Sequence, residues 1–175
     1  MKKPVLSTFK ILMKKSFNSD IDEIWINWAM EMMEVGFENE TLFILAGISK
    51  PYNQFELQEL TTKVLTELNL DFSNQKTVIK NYVYYLISNS IYKTESYLAT
   101  LRELKNICID LNMEDNYMNF YLLYFAKDDL IEQENQHYWN DANRQNIDQI
   151  VTENFKNWKT EYETISKTEN KLLKS

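Results

Sequence analysis

Glycine and proline are nearly missing from this 175-residue chain, which has only Gly36, Gly47, Pro4 and Pro51. Average usage is about 7% Gly and about 5% Pro. A β-rich fold needs these residues at hairpins and bulges, so its turn chemistry is absent. A helical fold manages without them, because Asn, Asp and Ser cap helices with side-chain oxygens. Those residues precede most of the apolar periodic runs here. The composition predicts an all-α fold.

Other scarcities exclude further classes. The single Cys108 rules out an intrachain disulfide framework and fits a reducing compartment. No apolar run approaches the roughly 20 residues of a spanning helix. The start, Met1-Lys2-Lys3-Pro4-Val5-Leu6, has the charge of a signal n-region, but Lys10, Lys14 and Lys15 interrupt any apolar segment after it. The expectation is a soluble, cytoplasmic protein with no membrane partner. At 21.0 kDa one helical domain over 1–175 is expected, with about 168–175 frayed because the apolar period weakens after Lys167.

Charge is present but uneven. Residues 1–18 hold five Lys and no acid, residues 19–72 hold eleven acids against Lys50 and Lys63, and residues 113–153 hold nine acids against Lys127 and Arg144. The net charge of −7 disfavours nucleic acid, whose affinity comes from neutralised phosphates. Acidic blocks steer a basic partner or simply face solvent.

Helical spacing recurs along the chain. A first helix is predicted from Ser7 or Thr8 to Phe17. A second follows from an Asp20–Glu23 capping box, with Ile21, Ile24, Trp25, Trp28, Met32 and Val35 as one stripe and Gly36 as the left-handed stop. Asn39 caps a short helix ending at Ala46-Gly47, and Asn53 caps another striped by Leu57, Leu60, Val64 and Leu68. The run Val78–Ile87 is rich in strand formers, yet no turn pair between Asn74 and Ser90 can close a hairpin, so a buried helix is predicted there. Further helices are predicted from near Thr94, across the apolar run Tyr117–Ala126, and from about Asn143 through Ile147, Val151, Phe155 and Trp158.

Chemical motifs are scarce. Glu134-Asn135-Gln136-His137 has the E-x-x-H spacing of di-iron bundles, but the second histidine such a site needs does not exist in this chain. A mononuclear metal site from Asp128, Asp129, Glu132, Glu134, His137 and Asp141 stays open on spacing alone. Two glycines far from any basic phosphate partner build no phosphate-binding loop, and no nucleophile elbow is present. Cys108 lies in an apolar stripe that disfavours a thiolate. Eleven Tyr, nine Phe and four Trp serve as core material or as interface anchors.

Two patterns occur together: Trp28-Ala29, Met32-Met33 and Gly36 leading to Leu42-Phe43-Ile44-Leu45-Ala46-Gly47, and Asn146-Ile147-Asp148-Gln149-Ile150 leading to Trp158. The combination resembles small helical bacterial proteins of uncharacterised function, some similar to immunity partners of secreted or contact-delivered toxins. The resemblance covers about a third of the chain and carries no catalytic residue. The helical runs themselves predict an irregular bundle of about seven to nine helices, and the resemblance implies a non-catalytic, cofactor-free protein that occludes a basic toxin domain. Asp128, Asp129, Glu132, Glu134, Tyr138, Trp139 and Asp141 are the expected partner surface, where charges that steer lie beside aromatics that anchor. A helical adaptor, a self-associating regulator forming homo-oligomers, and a metal- or ligand-binding enzyme using the acids near His137 stay open as alternatives.

Overall fold

A computed structural model describes the backbone of residues 2–172 and the side chains of residues 2–167. The expected fraying of 168–175 falls largely outside the described residues; the backbone of 168–172 continues the last helix. Among the described residues there are eight α-helices and no strand. They are α1 (Thr8–Ser16), α2 (Glu23–Glu34), α3 (Glu40–Ala46), α4 (Gln54–Glu67), α5 (Gln75–Ser90), α6 (Tyr97–Asp110, preceded by a 3-10 turn at Thr94–Ser96), α7 (Asp115–Glu132) and α8 (Ile147–Leu172). The all-α expectation holds, and Val78–Ile87 is helical. No described helix is long and apolar enough to cross a membrane.

The chain divides into two compact units, 1–85 and 86–175. The first is built on a core of Ile11, Trp25, Trp28, Met32, Leu42, Leu45, Val64 and Leu65, all fully buried. Lys14 pairs with Asp22 at 3.0 Å, tying α1 to the start of α2. In the second, α6, α7 and α8 pack through aromatic edges. Phe155 of α8 meets Tyr97 of α6 at 5.4 Å and Phe120 of α7 at 5.9 Å, both T-shaped, the geometry that ring quadrupoles favour.

The helix stops explain how so few glycines suffice. α2 ends in a Schellman motif: Gly36 sits at φ 90, its N–H bonds the Met33 carbonyl at 2.8 Å, and the Phe37 N–H bonds Met32 at 3.0 Å. The same paired bonds end α1, α4 and α6, with Asn18, Asn69 and Asn112 in the left-handed position at φ 50, 54 and 53. Asparagine tolerates this conformation better than other side-chain-bearing residues. It does the work of glycine three times.

Four boundaries differ from expectation. The α2 cap is Asp22, whose Oδ1 accepts from Ile24 N at 3.1 Å. Asp20 does not cap, because Ile21 is buried and held extended: its N–H and C=O pair with the Gln54 amide at 2.8 and 2.9 Å. Val35, expected in the α2 stripe, is 47% exposed, since the helix has already ended. α7 runs on to Glu132, beyond the apolar run, and α8 begins at Ile147 rather than Asn143.

Candidate functional site

The expected surface lies on the last turns of α7 and the connector 133–146. Asp128 and Asp129 are half-buried inside α7, not in a segment that follows it; Glu132, Glu134 and Asp141 are exposed. Tyr138 is 41% exposed and Trp139 half-buried. Tyr138 stacks on Phe125 of α7 with centroids 5.2 Å apart. Phe125 meets Tyr121 at 5.0 Å and Tyr124 at 5.1 Å, and Lys105 Nζ lies 4.7 Å over the Tyr124 ring. The exposed aromatic is thus the outer member of a packed ring cluster.

Gln136 organises the connector. Its Oε1 accepts from Tyr138 N and Trp139 N, both at 2.8 Å, and its Nε2 donates to the carbonyls of Trp139 at 2.5 Å and Ala142 at 3.1 Å. Asn146 Nδ2 donates to Asp141 O at 2.8 Å, while Asn143 Oδ1 accepts from the amides of Gln145 and Asn146. These Asn turns are why α8 starts late: the side-chain oxygen offers the backbone an alternative to the helix. Arg144 Nε donates to Leu130 O at 2.7 Å, capping an end carbonyl of α7. The connector is therefore a built structure, held by the side chains of Gln136, Asn143, Arg144 and Asn146.

Asp128, Asp129, Glu132, Glu134 and Asp141 share this region with His137, which is exposed in the connector. No group of three His, Cys, Asp or Glu side chains able to hold a metal occurs among the described residues. Cys108 is fully buried, and burial pushes its thiol above the ordinary range, which disfavours the nucleophilic thiolate. Gln136, Phe125 and Arg144 were invisible as frame residues. The Asn143–Asn146 spacing was a legible turn signal, but nothing local marks Gln136.

Sequence reasoning also passed over a concavity of about 660 Å³ in the 1–85 unit, walled by Lys15, Asp20, Gln54, Phe55, Gln58 and Glu59 among others. Lys15 is buried there, and its ammonium donates to Gln58 O, Gln58 Oε1 and Thr61 Oγ1 at 2.8, 2.9 and 3.1 Å. All three N–H donors are used. The role this arrangement supports is to bind α1 to α4.

Comparisons of the chain with family models, with curated proteins and with solved structures return no match.

Proposed function

We propose that the chain is a non-catalytic protein-binding module, and specifically an immunity protein that neutralises a cognate toxin by stoichiometric occlusion. One observation carries the reading: Asp129 and Glu132 lie in the last turn of α7, which holds no basic residue, and Lys127, beside Asp128 just before it, is already paired with Asp148. A helix C-terminus is the negative end of the macrodipole, and misplaced charge there costs about 0.3–1 kcal/mol per exposed group. Arg144 offsets part of this at Leu130. The rest is relieved when a cationic surface docks, with Glu134 and Asp141 extending the field and Tyr138 as the aromatic anchor. A basic active-site cleft, such as that of a nuclease, has the matching chemistry. A cytoplasmic location belongs to the same reading, since a lone thiol suits a reducing compartment.

The test is co-expression with the product of the gene immediately upstream of this one. Relief of a growth arrest caused by that product, lost when Glu132, Glu134 and Asp141 are reversed to Lys, supports the proposal. The reversal is expected to slow association by about tenfold or more at low salt and to flatten its salt dependence. An upstream product that does not arrest growth, or arrests it regardless of this protein, refutes the immunity reading. Binding without relief of arrest moves the function to an adaptor.

A further inference from the structure

We infer that the α2–α3 face of the 1–85 unit is a second docking surface, shaped for a basic amphipathic helix of a partner protein. The two helices pack on one another, and between them they leave Met30, Met33, Phe43 and Ile44 at 46%, 37%, 45% and 50% exposure. These are two exposed apolar pairs, one on each of two helices that pack together, and apolar side chains that lie together mark interaction surfaces more than single scattered ones do. Met30 and Met33 stand three residues apart on α2 and are surface neighbours. Methionine is flexible and polarizable, and suits a surface that moulds to an incoming helix.

Charge selects the occupant. From Glu23 to Ala46 the chain has five carboxylates and no Lys or Arg; the one cation the structure brings to the end of α2 is Lys2, whose ammonium is held by the Gly36 carbonyl. Glu23 pairs with Lys50 at 3.6 Å, and Glu31 accepts a hydrogen bond from Ser7. Glu34, Glu38 and Glu40 are exposed and have no ion pair among the described residues. Glu34 lies one turn from Met30, and Glu40 one turn from both Phe43 and Ile44. Each apolar pair is therefore edged by a free carboxylate, complementary to Lys or Arg flanking an apolar stripe. A second copy of this chain fits poorly, because an isologous contact sets the patch against itself and brings these carboxylates together. This inference concerns other residues than the α7 surface and does not depend on the function proposed above.

The experiment titrates full-length protein, carrying 13C-methyl methionine, with an 18-residue helical peptide of Leu at core spacing and Lys elsewhere. The expected result is saturable binding that shifts the Met30 and Met33 methyl signals and leaves that of Met118 in place. A peptide with Glu in place of Lys should not bind. The double variant Met30→Ser with Phe43→Ser should weaken binding by about tenfold or more, the scale of lost anchor residues. Glu34→Gln with Glu40→Gln should reduce the salt dependence. These positions are exposed, and an unchanged far-UV circular dichroism spectrum verifies the fold of each variant. Absence of binding, or binding unchanged in the double variant, overturns the inference. So does binding lost only when Glu132, Glu134 and Asp141 are neutralised, which would leave the α7 proposal standing. Concentration-dependent dimers broken by Phe43→Ser would show that a second copy is the occupant and overturn it as well.

Discussion

Lys15 Nζ, in the last turn of α1, donates to the Gln58 carbonyl of α4 at 2.8 Å, and the buried ammonium pairs with no carboxylate among the described residues. Its hydrogen-bond acceptors are neutral oxygens, and burial lowers its pKa below the ordinary 10.5. Between that lowered value and 10.5 the unfolded chain holds the proton more tightly, so stability rises with pH across the window and levels off above it. Lys15→Met should remove this slope. At pH 7 the variant should lie within about 1 kcal/mol of the parent, because the lost hydrogen bonds are offset by relief of charge desolvation. Urea denaturation of both chains from pH 7 to 10.5 checks this; a stability difference independent of pH would contradict it.

Trp28 and Thr8 form the polar point of an otherwise apolar contact. Trp28 Nε1 donates to Thr8 Oγ1 at 2.9 Å, and both residues are buried. Thr8→Val keeps the shape but leaves the indole N–H unpaired, which costs about 1–3 kcal/mol. Thr8→Ser, which restores the acceptor, should recover most of that loss. Denaturation midpoints, with near-UV circular dichroism as a report on the indole, separate the two variants.

The left-handed helix stops predict an ordered series. Gly36→Ala places a Cβ at φ 90 and should destabilise by about 1–2 kcal/mol. Asn69→Ala and Asn112→Ala should each lose about 1 kcal/mol, while Asn→Gly at the same positions should stay within about 0.5 kcal/mol of the parent. A thermal melt in which the Ala and Gly variants coincide would show that the left-handed backbone carries no cost there.

Gln136→Ala removes four hydrogen bonds from the connector but no buried apolar contact. Its effect should be local: amide exchange at Tyr138 and Trp139 should accelerate by about tenfold or more, with little change in the global midpoint. If the connector binds a partner as proposed, the variant should also bind more weakly, because it must be ordered again on association. Unchanged exchange at these amides would show that another group holds the loop.

Where the helices lie was legible in the spacing of Trp25, Trp28 and Met32, of Leu57 and Val64, and of Leu101, Leu104 and Cys108, because helical burial repeats with the turn. Their ends were less so. Asp20 and Asp22 are equally good caps by residue type, and Gln54, more than thirty residues on, decided between them by pairing with Ile21. The helix expected over the apolar run stops at Ala126 because the residues after it are charged. The chain stays helical beyond it because Leu130 is still buried at 4% exposure, and burial of one face outweighs unfavourable end charges.

By itself the sequence determined the class of fold, since a chain with two glycines and two prolines can turn only where helix caps and left-handed asparagines permit. It also determined that acidic groups cluster in two blocks. The tertiary structure alone decided which of those groups share a surface with exposed apolar side chains. It left Met30, Phe43 and Tyr138 outside, and it drew Lys15, a residue that composition assigns to solvent, into the interior. The reason is physical: helix formation is governed by neighbours within a turn or two, whereas exposure depends on which elements pack over a residue, and those come from distant parts of the chain.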